Sequence, residues 1–205
     1  MRVLGACEFS GIVRDAFIAK GHHAVSCDLL PSERPGPHIR DDIMKHLNDG
    51  WDLMVAHPEC TYLCNSGVRW MYSKNGELSA LRHLRCINAG TFLEILLGEQ
   101  CPIHNIPKVC IENPIPHRYA YAPYGAIHRK YDQIIHPWQF GHGETKATCL
   151  WLKNLPKLKP TNIVSGREPR IHRMGPSETR SLDRARTYPG IAAAMAEQWG
   201  GWVPP

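Results

Sequence analysis

Polar clusters stand at the ends of short apolar stretches along this chain, and that recurring arrangement constrains the fold more than any other feature. Glu8 to Gly11, Asp28, Asp42, the loop after Asp52 to Ala56, and Glu112 to Pro114 each follow an apolar strand candidate. Arg2 to Ala6 reads as a buried first strand, Ile12 to Ala19 has helical apolar spacing, Gly21 is placed to stop that helix, and His23 to Cys27 reads as a second strand. Strand, turn, helix and strand in under thirty residues open a parallel α/β sheet. Further along, Leu30 to Arg40 carries three prolines and a glycine and reads as a loop, and His57 to Gly67 as a polar loop. Ser79 to Gly98 reads as a helix with Leu81, Leu84, Ile87, Phe92, Ile95 and Leu96 on or near one face. Lys108 to Ile111 and Cys149 to Leu152 read as strands, Pro156 to Pro176 as irregular, and Ile191 to Trp199 as a last short helix. The expected fold is a mostly parallel sheet flanked by helices, in a single unit spanning residues 1–205.

In open sheets of this kind, ligands bind outside the carboxyl ends of the strands, so these clusters predict one pocket. An adenosine-type cofactor there needs a close turn after the first strand, an acid after the second for the ribose, and a further polar contact for the adenine. Glu8, Phe9, Ser10 and Gly11 supply the turn, Asp28 with Leu29 the ribose side, and Asp42 with Ile43 the adenine side. The chain has no G-x-G-x-x-G, which points away from a dinucleotide and toward a mononucleoside cofactor.

The loop His57-Pro58-Glu59-Cys60-Thr61-Tyr62-Leu63-Cys64-Asn65-Ser66-Gly67 is the most specific segment. Its order and spacing resemble the Pro-Pro-Cys-Gln loop of the DNA cytosine-5 methyltransferases, including the small residue and glycine (Ser66 and Gly67) that follow the cysteine. Ile111-Glu112-Asn113-Pro114 is similar to that family's Glu-Asn-Val segment, Arg40-Asp41-Asp42-Ile43 to its Gly-Asp-Ile segment, and Phe9-Ser10-Gly11-Ile12 to its Phe-Ser-Gly turn. The four matches occur in the family's order and cover roughly residues 1 to 115. The resemblance implies a Rossmann-like class I methyltransferase that uses S-adenosyl-L-methionine to methylate carbon 5 of cytosine in DNA. It implies Cys60 as the nucleophile that adds to carbon 6, and Glu112 and Asn113 as its catalytic partners. Glu8 to Gly11, Asp28, Leu29, Asp42, Ile43, His57 and Pro58 would face the cofactor, and Ser66 and Gly67 the substrate. Gln139 and Lys146 would stand beside the base, and Tyr188 to Ala192 would return the chain to the cofactor side. A thiolate suits the addition because it is strongly nucleophilic and partly ionised near neutral pH. The chain departs from the family at Val13-Arg14, where paired glycines are usual, at Glu59 and Thr61, and in lacking a full target-recognition region. In that last respect it is similar to small phage and prophage methylases.

Charge bears on the partner. The whole chain carries +5, but Lys153 to Arg186 holds nine Lys/Arg against three Asp/Glu, so the remainder is close to neutral. A concentrated basic, irregular segment reads as a phosphate-facing surface, with Arg167, Arg170 and Arg173 as its contacts to duplex or single-stranded DNA. A free pyrimidine nucleotide or RNA as substrate, and a silent nucleic-acid-binding relative, are the alternatives. The short recognition segment leaves room for a homo-oligomer or a separate recognition partner. The eight cysteines are expected to be mostly buried thiols, and Cys60 and Cys64, with no second close pair, to hold no metal. No apolar run is long enough to span a bilayer and no signal-peptide pattern opens the chain, so a cytosolic protein without a membrane partner is expected.

Overall fold

Strands buried on both faces by parallel pairing need no polar alternation, which explains why the apolar stretches here are short and nearly continuous. A computed structural model describes residues 1–100 and 102–203. Its seven strands are β1 (Arg2–Ala6), β2 (His23–Cys27), β3 (His38–Ile39), β4 (Leu53–Ala56), β5 (Lys108–Pro114), β6 (Gln133–Ile135) and β7 (Thr148–Lys153). They form one sheet in the order β3-β2-β1-β4-β5-β7-β6. The pairs from β3 through β5 are parallel, with Leu4 opposite Val25 on one side and Met54 on the other. Strand β7 runs antiparallel to both β5 and β6. The molecule therefore has the expected Rossmann-like α/β fold, a mostly parallel sheet flanked by helices.

The helices are α1 (Ile12–Ala19), α2 (Asn65–Val68), α3 (Ala80–Leu97), α4 (Arg170–Arg173), α5 (Arg180–Ala185) and α6 (Pro189–Trp199). Side chains alternate across each strand, so the sheet feeds two cores. Leu4, Met54, Val109, Ile111 and Trp151 pack with Leu93, Leu96 and Leu97 of α3 on one face. Val3, Leu53, Val55, Cys110 and Leu150 pack with Phe17 of α1 and Met195 and Trp199 of α6 on the other. Helix α3 is bounded as its sequence predicts: the Ser79 hydroxyl caps its first turn and Gly98, left-handed at φ 66°, ends it.

Four expectations change. Leu81 and Leu84 are exposed, because α3 buries its side chains only from Cys86 onward. The proline-rich loop contains β3, whose backbone extends the pairing of β2. The polar loop after β4 ends earlier than expected, since α2 starts at Asn65. The basic segment is not wholly irregular: α4 and α5 both lie in it. Of the cysteines, Cys27, Cys64, Cys86, Cys110 and Cys149 are buried, Cys7 and Cys60 half-buried, and Cys101 lies outside the described residues.

The loop between β2 and β3 is held from below. Arg14, completely buried in α1, donates to Ser26 Oγ at 3.1 Å, Ser32 Oγ at 3.2 Å and the Pro35 carbonyl at 3.0 Å, and pairs with Asp15 at 2.8 Å. A buried guanidinium is tolerable only when its donors are satisfied in this way.

Candidate active site at the carboxyl ends of the strands

Two cavities adjoin at this end of the sheet. The first, about 320 Å³, lies at the ends of β1, β2 and β4, with Phe9, Asp28, Leu29, Asp42, Ile43 and His57 in its wall. Cys7, Cys27, Asp41, Glu59, Phe92 and Ala185 complete it. Asp28 and Asp42 also serve as turn residues: Asp28 Oδ1 accepts from the Leu30 amide at 2.9 Å and Asp42 Oδ1 from the Met44 amide at 3.0 Å. Burial and the Asp28 charge push the Cys7 thiol up to about 12, so it stays neutral at the cavity floor.

The rest of the predicted first turn does not reach this cavity. Glu8 and Ser10 are buried and bond to each other, Ser10 Oγ donating to Glu8 Oε1 at 2.6 Å. Gly11 adopts φ 72° to start α1, a conformation natural to glycine. Of those four residues only Phe9 faces the cavity, and the others shape the turn that presents it. Pro58 is buried behind the wall, and its carbonyl accepts from Asn113 Nδ2 at 2.9 Å. Asn113 thus ties the end of β5 to the cysteine loop and does not line either cavity.

The second cavity, about 550 Å³, brings together Cys60, Cys64, Ser66, Gly67 and Lys146 with Trp70, Arg180 and Arg184. Ala185 lines both cavities, while His57 and Glu59 face the first and Cys60 the second. One stretch of four residues therefore forms the partition. The cysteine loop is folded tightly: the Leu63 and Cys64 amides both donate to the Cys60 carbonyl at 3.0 Å, and the His117 amide donates to the Leu63 carbonyl at 2.8 Å. Gly67 permits this, since a β-carbon there would lie 2.3 Å from the Thr61 carbonyl oxygen.

The two thiols divide their charge unequally. Cys64 is held low by the hydrogen bond it receives from Cys60, by the Ser66 hydroxyl 3.0 Å away and by the Gly67 and Ser66 amides, despite burial. Cys60 is correspondingly pushed up by its bond to Cys64, by burial and by the charges of Cys64 and Glu112, and Lys146 opposes this only in part. Glu112 turns from the cysteine and bonds His57 Nδ1 at 2.6 Å. Burial alone would raise its carboxyl, but the His57 bond and the Lys146 charge outweigh that and hold it below the ordinary range. His57 Nε2 is buried without a partner.

The other predicted substrate contacts lie elsewhere. Gln139 accepts from the His136 amide at 2.7 Å and caps its own turn. Arg167 stacks over Trp138 at 3.8 Å and bonds the Gly166 carbonyl at 2.8 Å, and Arg170 pairs with Glu144. Neither these three nor Arg173 lines either cavity, because local partners hold Gln139, Arg167 and Arg170 outside it. Arg180 and Arg184 are the cationic residues of that segment at the cavity. Their i, i+4 spacing, which places them on one helical face, is the signal that would have selected them. Nothing in the spacing of Cys7 or Phe92 marks them as pocket residues. Among the described residues no group of three or more His, Cys, Asp or Glu could hold a metal ion, and no helix is long and apolar enough to cross a membrane.

No family model and no curated protein matches this chain. Among solved structures it is similar to a provisionally assigned DNA modification methyltransferase encoded within an E. coli prophage, at 12% identity and a TM-score of 0.46, over 80% of this chain and 52% of that one. The chain thus spans about half the length of that structural neighbour.

Proposed function

We propose that the protein methylates carbon 5 of cytosine in DNA, using S-adenosyl-L-methionine and a covalent bond from Cys60. One observation carries this reading. A cavity walled by four carboxylates (Asp28, Asp41, Asp42 and Glu59) and apolar side chains shares a partition with a second cavity that contains two cysteines and a lysine but no carboxylate. Donor and acceptor would meet across His57 to Cys60.

The first cavity fits the cofactor chemically. Asp28 and Asp42 can accept hydrogen bonds from ribose hydroxyls or an adenine amine, Phe9, Ile43 and Phe92 can pack on the purine, and His57 Nε2 is a buried polar atom in need of a partner. When bound, S-adenosyl-L-methionine supplies an electrophilic methyl group. Cys60, after passing its proton to the Cys64 thiolate to which it is hydrogen-bonded, would form a bond to carbon 6 of the base and so make carbon 5 nucleophilic. Lys146 would stabilise the thiolate, whose charge it already offsets. Glu112 would exchange His57 for ring N3 of the base and, having taken up a proton, donate it there, offsetting the charge that develops. Loss of the carbon-5 proton to a base would let Cys60 leave and restore the thiolate.

The test is transfer of labelled methyl from S-adenosyl-L-methionine to duplex DNA, single-stranded DNA, RNA and dCMP in parallel. Label released from DNA as 5-methylcytosine, and absent with Cys60→Ser although that variant still binds cofactor, is the expected result. Full activity of Cys60→Ser would refute the covalent role, and label confined to dCMP or RNA would replace the substrate.

A further inference from the structure

Beyond the cysteine, the cavity opens into a recess of about 590 Å³ lined by Asn65, Ser66, Arg69, Trp70, His172, Arg180 and Arg184. Three arginines face this recess and no carboxylate does. None of the three is ion-paired among the described residues, although Arg186, next to them on the chain, is engaged by Glu33 and Asp183. Arg180 Nε is buried with no hydrogen-bond partner. Unpaired guanidinium groups gathered in a concave surface repel one another and are stabilised by an anion with several acceptor oxygens.

Trp70 lines both the recess and the cysteine cavity, yet it is 56% exposed, with the Arg69 guanidinium 4.7 Å from its ring. Two residues further on, Tyr72 begins a run of ring contacts, to Tyr119 at 5.9 Å and from Tyr119 to Tyr124 at 5.8 Å, and Tyr124 is likewise exposed. Exposed rings interleaved with arginines suit bases that are free to stack, whereas a duplex keeps its bases stacked on each other and offers only phosphates and groove edges. The basic segment has no element suited to a groove: α5 is six residues, about 9 Å long, and α4 is shorter.

The geometry points to a binding track for an unpaired nucleic-acid strand, with Arg69, Arg180 and Arg184 on its phosphates and Trp70 stacked on a base beside the one entering the cysteine cavity. This deepens the methyltransferase reading by naming the form of its substrate, and it rests on that reading for the identity of the target base. An unpaired strand also removes the cost of drawing a base out of a helix, which a duplex-acting enzyme must recover from extra contacts.

Fluorescein-labelled strands of one cytosine-containing sequence, as single-stranded DNA, single-stranded RNA and duplex DNA, distinguish the alternatives by anisotropy at several salt concentrations. Either unpaired strand should bind at least about tenfold more tightly than the duplex, and DNA against RNA identifies the sugar. Trp70→Ala should remove that preference and Trp70→Phe should retain most of it, with circular dichroism unchanged in both. Converting Arg69, Arg180 and Arg184 together to Gln should lower the logarithmic salt slope by about 2. Equal or tighter duplex binding, or a preference unaffected by Trp70→Ala, overturns the track. Cysteine-dependent methylation of duplex DNA alone would reject the track and leave the proposed chemistry standing. A Trp70-dependent preference for unpaired strands without methylation of any substrate would do the reverse.

Discussion

At the scale of single residues, the unequal thiols decide how the site responds to pH. Cys60 is raised chiefly by its hydrogen bond to Cys64, so the group proposed to attack carries its proton at neutrality and its neighbour bears the charge. A nucleophile with a raised pKa is recruited only as pH increases, so kcat/KM should climb through the alkaline range. Cys64→Ser removes the first cause of that rise and should move the climb to lower pH, because Cys60 no longer faces a neighbouring thiolate. Thiolate absorbance should move with it. If the pH–rate profile stays in place when Cys64 is replaced, the two sulfurs do not share a proton. Residue roles were legible in the sequence only where the chemistry was specific. Cys60 was marked by its loop and reaches the cavity, whereas Glu8 and Ser10, identical in type to cofactor ligands, bond to each other instead. Side-chain partners of that kind cannot be read from order along a chain.

At the scale of elements, the strongest constraint is the clamp that α1 sets on the β2–β3 loop through Arg14. Arg14→Met should destabilise the fold by about 1–3 kcal/mol, since it takes a donor from the buried Ser26 hydroxyl and unties the loop at Ser32 and Pro35, and urea unfolding measures this directly. Loss below about 1 kcal/mol would mean that water or neighbouring groups replace the guanidinium. Legibility follows the same physics. Strands β1, β2 and β4 and helices α1 and α6 declared themselves because burial imposes a pattern on consecutive residues. Strand β3 has two residues and β6 three, too few for any period, and their pairing is supplied by neighbours distant in sequence. The outward leucines of α3 show the converse: Leu81 and Leu84 keep helical spacing where the helix does not bury it.

At the scale of the whole molecule, both cavities depend on segments far apart in the chain. Ala185, from the end of α5, is exposed and borders both of them, and Arg186 beside it bonds Glu33 at 2.7 and 2.6 Å. Ala185→Phe should therefore weaken cofactor and nucleic-acid binding together while leaving the melting temperature within a few degrees, because the added ring fills open space rather than core. Titration calorimetry with each ligand checks this, and loss of one affinity alone would mean the cavities are walled off from each other. The sequence located this region by charge but assigned its contacts to Arg167, Arg170 and Arg173, since net charge does not reveal which arginines are occupied locally.

The packing of α6 against α1 has a consequence for synthesis. Phe17 and Val13 share their core with Met195 and Trp199, and Lys20 pairs with Glu197. A nascent chain on the ribosome can complete β1, β2 and β4 long before α6 emerges, leaving the outer face of α1 greasy and uncovered for most of translation. Chains interrupted before Pro189 would keep that face open permanently, making them natural clients for chaperones and proteases.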